Sequence, residues 1–270
     1  KRIGQLSNDE VADVFDNWNQ GPLNSFLIEI TSKIPRVRDD ETNQRLLDVI
    51  LDAARQKGTG KWTSQDAMEL QAPVPTIDVA VSMRDLSAYK TEREEAAAVF
   101  PVTAASSSVG RGDLTDRLED GLRFAMIAAY AQGMSLLRAA SRKYEYDLDL
   151  AGIARIWRGG CIIRAAVLDD IRGVFEDDPD TANLMTKQPF SGVMKRCRSS
   201  LCEILRIAFE AKISAPALAS VLGYFDAYRT PRLPSNMIQA QRDFFGSHTY
   251  ERIDRKGTFH TDWANREEIK

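Results

Sequence analysis

The chain has 270 residues, with 36 Lys and Arg against 39 Asp and Glu, giving a formal net charge of −3. That length is ample for a buried core. A charge so near zero gives no reason to expect a nucleic-acid binder, so any anion must be held by local basic residues. Only Cys161, Cys197 and Cys202 are present, without CxxC spacing, which argues against a disulfide framework or zinc site and for a reducing, cytoplasmic setting.

Helix signals run nearly end to end. Ser7 and Glu10 have the offset of a capping box, so a first helix is expected from Asn8 to about Gln20. Leu23 to Ile34 reads as a short helix stopped by Pro35. Apolar Leu46, Leu47, Ile50, Leu51 and Ala54 predict a helix over Glu41 to Gln56, broken by Gly58-Thr59-Gly60. Ser64 to Leu70 and Thr76 to Leu86 give two more short helices. Pro101 to Gly112 is expected to be a loop between two helical blocks. Asp113 to Arg142 is the longest helix and the central pillar, apolar nearly all round in its middle. Within it, Gly121 to Ala140 contains Arg123, Gln132, Ser135 and Arg138, so a buried helix is expected and no membrane span. Helices follow at Leu150 to Trp157, Cys161 to Glu176, Gly192 to Ala211, Ala215 to Asp226 and Ser235 to Phe245. The aromatic residues of the remaining tail, Gly246 to Lys270, imply that it packs on something. Lys1-Arg2 leads into polar sequence, unlike a secretory signal.

Lys57-Gly58-Thr59-Gly60-Lys61-Trp62 places small residues between two lysines, which lets backbone N–H groups and ammonium charges approach one anion. It lacks the P-loop spacing, and taken alone such a run is more often a glycine-rich helix stop flanked by solvated lysines. Ser108 to Gly112 has no preceding strand and no third glycine, so it is no dinucleotide fingerprint. Arg242 and His248 lie six apart, and a helix ending near Gly246 brings both toward one ligand. Arginine offers a fork for phosphate oxygens, and histidine donates near neutral pH. On residues alone, a surface arginine and a structural histidine are commoner, and His260 reads as structural. Two histidines without ligand spacing argue against a metal site, and no serine elbow or Cys–His pattern supports nucleophilic hydrolysis.

Trp18-Asn19, Leu27 to Thr31, Gln56 to Trp62, Trp157 to Arg164, Tyr224 to Arg229, and Ile238 to Tyr250 followed by His260-Thr261 and Trp263 together resemble the decarboxylating 6-phosphogluconate dehydrogenases. The likeness runs over essentially the whole chain. It implies an all-α, multi-helix domain of that family's C-terminal type. Residues 1–234 would be the substrate and dimerisation domain, its first repeat truncated at the N-terminus, and residues 235–270 a helix and tail that reach the partner subunit's active site. The resemblance further implies NADP-dependent oxidative decarboxylation of 6-phosphogluconate to ribulose 5-phosphate and CO₂, in a homodimer. By position in the motifs, Lys57 and Arg84 match the family's substrate-binding lysine and phosphate-binding arginine. Arg242 and His248 match the pair inserted into the neighbouring subunit. The family's general acid/base lysine, its proton-donating glutamate and its Rossmann domain correspond to sequence before Lys1. No catalytic residue or bound cofactor, and no turnover, is therefore expected of this chain alone. Arg55 and Ser82-Met83 depart from the family pattern, which affects local shape rather than charge. The other reading is a non-catalytic helical dimerisation or phosphosugar-binding module.

Overall fold

A computed structural model describes residues 1, 3–55, 57–102 and 110–265. Within them the chain is all-α apart from one short strand pair, as the resemblance implies. The helices are α1 (Asn8–Asn19), α2 (Phe26–Lys33), α3 (Leu46–Val49), α4 (Thr59–Glu69), α5 (Pro75–Ser87), α6 (Lys90–Val99), α7 (Arg111–Tyr144), α8 (Leu150–Trp157), α9 (Val167–Asp177), α10 (Phe190–Glu210), α11 (Pro216–Tyr228) and α12 (Ser235–Gly246). Strands β1 (Tyr250–Glu251) and β2 (Thr258–Phe259) pair antiparallel. The chain divides into two compact units, Lys1–Tyr224 and Phe225–Lys270.

Local chemistry explains most of the boundaries. The capping box at α1 is formed: Glu10 N donates to Ser7 Oγ at 3.2 Å, and Ser7 N donates to Glu10 Oε2 at 2.7 Å. Ser25 caps α2 and Asp149 caps α8. Pro75 starts α5 at the one turn where its missing N–H removes no helical bond.

The core of the first unit is built around α7 and α10. Phe124, Ala128, Ala131 and Met134 of α7 and Met194 and Leu201 of α10 are buried. Gly121 of α7 packs against Leu201 of α10, where an added Cβ would make ordinary contact at 3.6 Å from the Leu201 Cα. Each large apolar side chain so buried contributes about 1.5–3 kcal/mol. Gln132 is also fully buried. Its Oε1 accepts from Thr76 N at 3.0 Å, and its Nε2 donates to Thr76 Oγ1 at 2.9 Å, which fixes the start of α5 on α7.

Three expectations need correction. The helix expected over Glu41–Gln56 is reduced to the four residues of α3. Residues 37–46 instead form a tight antiparallel turn, with Leu46 N bonded to Val37 O and Asp39 N to Gln44 O, so their backbone groups are already paired. Leu46, Leu47, Ile50 and Leu51 gave a helical period, yet Ile50 and Leu51 are exposed. The helix expected from Cys161 begins at Val167, because Arg164 O and Ala166 N bond to Phe26 N and Asn24 O. The glycines after Lys57 do not merely stop a helix: Gly58 is the N-cap of α4. Sequence periodicity also gave no helix at α6, which buries no residue. Of the expected loop Pro101–Gly112, residues 103–109 lie outside the described residues, and Arg111 and Gly112 already belong to α7.

Candidate functional site

Lys57 immediately precedes the turn that launches α4. Gly58 takes a positive φ of 108°, a twist that side chains resist, and no side chain caps the helix that follows. Among the described residues no side chain caps the first-turn N–H groups of α4, which carry the helix's positive end. Gly60 faces α5 so closely that a Cβ there would stand 3.0 Å from Val81 Cγ2. This contact sits one turn before Arg84. The Arg84 guanidinium donates through Nη2 to the carbonyl of Arg55 at 2.7 Å, two residues ahead of Lys57. Two peptide steps span at most about 7.6 Å, so the Lys57 backbone lies close to the Arg84 head group. The fold therefore brings Lys57 and Arg84 to the same edge of the first unit. Both residues are exposed. An ammonium, a guanidinium and a helix N-terminus in one place can hold an oxyanion by charge-assisted hydrogen bonds.

Arg242 and His248 belong to the second unit. Arg242 is exposed on α12, its Nη1 bonded to Gln239 Oε1 at 3.2 Å. His248 follows the end of α12, where Ser247 takes the left-handed conformation. Its exposed ring lies 6.0 Å from that of Phe245. Among the described residues no hydrogen bond joins Arg242 to His248; they are separate donors near one helix end.

What holds that end in shape is Asp243, a residue that sequence reading did not single out. Its carboxylate is fully buried. Oδ1 accepts from Thr249 N at 2.8 Å and lies 2.9 Å from His260 Nδ1. Oδ2 accepts from Thr261 N at 3.0 Å and from Trp263 Nε1 at 2.9 Å. Burial alone would raise this carboxyl's pKa, but the four contacts outweigh it and hold the group well below the usual carboxylate range. His260 is structural as read, with Asp243 as its partner. The tail packs as its aromatic content implied: Trp263 and Phe244 rings lie 6.2 Å apart, as do Tyr250 and Phe259.

Elsewhere in the first unit, an apolar hollow of about 330 Å³ lies along α7, lined in part by Leu27, Met126, Tyr130, Trp157 and Ile163. No cluster of three or more His, Cys, Asp or Glu able to hold a metal occurs among the described residues. No helix among them is long and apolar enough to cross a membrane.

Comparison with known proteins places this geometry in a family. The family model described as "6-phosphogluconate dehydrogenase, C-terminal domain" matches residues 1–263. The chain is 47% identical over 271 residues to "6-phosphogluconate dehydrogenase, decarboxylating 3, chloroplastic" of Arabidopsis thaliana, covering 98% of this chain and 56% of the relative. It is 43% identical over 263 residues to "6-phosphogluconate dehydrogenase, decarboxylating" of Lactococcus lactis, covering 97% and 56%. Among solved structures, the Plasmodium falciparum 6-phosphogluconate dehydrogenase superposes with a TM-score of 0.94 at 41% identity, covering 97% of this chain and 57% of that one. It was determined in apo form, with its cofactor NADP+ and with its substrate 6-phosphogluconate. The chain thus spans a little over half the length of the relatives it matches.

Proposed function

The chain belongs to the family of the 6-phosphogluconate dehydrogenase C-terminal domain, and on that premise we propose that it is the phosphate-holding helical part of an NADP-dependent, decarboxylating 6-phosphogluconate dehydrogenase. The observation that carries this reading is the docking of Arg84 on the Arg55 carbonyl, beside Lys57 and the start of α4, where no side chain among the described residues caps the helix. A sugar phosphate is a dianion, and this edge offers two cations and a row of backbone donors.

Arg242 and His248 complete the site of a partner subunit in this proposal, Arg242 adding a guanidinium and His248 a neutral-pH donor. The cofactor needs a parallel β–α unit with a glycine-rich turn. The described residues offer only the two-residue strands β1 and β2, so they do not fit the dinucleotide, and NADP and the proton-transfer groups are assigned to the rest of the protein. Three cysteines free of disulfides fit the reducing cytoplasm.

The test is substitution in the protein at its native length. Arg84→Ala and Lys57→Ala should each weaken 6-phosphogluconate binding by about 1.5–3 kcal/mol, roughly 10- to 150-fold in KM. KM for NADP should stay unchanged. An unaltered KM for the phosphosugar in both variants would refute the assignment.

A further inference from the structure

Residues 51–55 have no regular structure of their own, yet Asp52, Ala54 and Arg55 are fastened by α5 and α6. Asp52 is gripped from three directions. Lys90 Nζ lies 3.0 Å from its Oδ1, Arg93 Nη1 is 3.1 Å from its Oδ2, and Arg93 Nη2 donates to its carbonyl at 3.2 Å. That same Nη2 reaches Ser87 O at 3.0 Å, so one guanidinium joins the loop to the junction of α5 and α6. Ala54 N donates to Ser87 Oγ at 2.8 Å, and Ser87 Oγ donates in turn to Arg84 O at 2.6 Å. Arg55 O receives Arg84. Three of the four residues from Asp52 to Arg55 are therefore tied to groups 29 to 41 positions away, and Lys57 follows two residues later.

Core packing does not account for this arrangement, since α6 buries no residue. Arg93 even keeps its Nε buried without a hydrogen-bond partner among the described residues, a cost that the contacts of its other nitrogens offset. Hydrogen bonds from Lys90 first, then Arg93, lower the Asp52 carboxyl to about 2, so it is an anion at any physiological pH. An anion beside a phosphate site opposes the ligand by charge alone. Its presence there calls for a geometric reason.

We propose that Asp52 and Arg93, with Ser87, are positioning residues that clamp the segment carrying Lys57 against Arg84, so that both cations meet one phosphate. The clamp rests on the reading of Lys57 and Arg84 as the phosphate site. It acts before binding: a loop already held loses less conformational freedom when substrate arrives.

Charge and geometry predict opposite signs for one variant, and that decides the matter. Steady-state kinetics are measured on the native-length protein with 6-phosphogluconate and NADP. Asp52→Asn removes a negative charge near the ligand. If only charge mattered, KM for 6-phosphogluconate would fall or stay level; with the clamp it rises on the order of tenfold. The kcat and the KM for NADP should remain within about twofold. Ser87→Ala changes no charge and frees Ala54, so it should raise the same KM in the same direction; it also decides the question should Asp52→Asn fail to fold. Arg93→Lys keeps the charge but cannot span both carbonyls, and it should behave alike. If the folded variants lower or leave that KM while Lys57→Ala and Arg84→Ala raise it, the clamp is refuted and the phosphate site stands. If Lys57→Ala and Arg84→Ala are themselves silent, the site reading fails and the clamp with it.

Discussion

A buried carboxylate with four close polar contacts makes the second unit dependent on one side chain. Asp243 joins the end of α12 to residues 6, 17, 18 and 20 positions further on. Asp243→Asn would turn an amide NH₂ toward groups that themselves donate, so the hairpin and Trp263 should come away from α12 while the first unit keeps its helical signal. Hydrogen exchange over residues 249–263 would report this as lost protection confined to the tail. The pH dependence has a definite sign. The carboxyl titrates lower in the folded state than in the unfolded chain, where it would be near 3.9. Its contribution is therefore complete above about pH 4 and is lost as the pH falls through the depressed folded value. Trp263 fluorescence should be flat from pH 8 to 5 and change only in stronger acid; a transition centred near pH 6 would contradict it. At this scale the sequence offered candidates where family motifs stand, at Lys57, Arg84, Arg242 and His248. It was opaque at Asp52, Arg93 and Asp243, whose partners lie up to 41 residues away and leave no local pattern.

Among the elements, Gln132 bears on the proposed site, because it ties the first turn of α5, the helix that carries Arg84, to α7. Gln132→Leu would fill the space but leave the buried side of Thr76 N without its acceptor, a loss of about 1–3 kcal/mol. A lowered thermal midpoint should come with a raised KM for 6-phosphogluconate, and a variant as stable as the parent would show that this bond is unimportant. Helices with caps or proline starts, such as α1 and α5, were readable because their signals are local. The supposed helix over Glu41–Gln56 failed for the opposite reason. Its apolar period was real, but the turn at residues 37–46 and the clamp at residues 52–55 had claimed its backbone groups. Helix α6 escaped notice because it buries nothing, and periodicity detects only a helix with an apolar face.

For the whole molecule, the all-α class and the order of the helices were legible in composition and periodicity, and the family in a few motifs. The resemblance had already set the two pairs of proposed site residues apart, in residues 1–234 and 235–270; the exact division between compact units was not legible, since it is set by tertiary contact. Lys57 and Arg84 lie in Lys1–Tyr224, and Arg242 and His248 in Phe225–Lys270. If the second unit completes the site of a partner subunit, two variants that are nearly silent at substrate concentrations far below their raised KM should rescue one another. Lys57→Ala and Arg242→Ala subunits mixed at equal amounts form half their dimers as hybrids, each with one intact and one doubly altered site. About a quarter of the wild-type activity should return, whereas sites contained within single subunits would give no recovery.

The turn at Gly58 has one more consequence, for which changes the protein can tolerate. Peptide donors are indifferent to the side chains that surround them, so in the proposed site the contribution of the start of α4 would persist through many surface replacements. What it cannot survive is a methyl group at position 58, which would force the main chain out of its left-handed twist and turn those donors elsewhere.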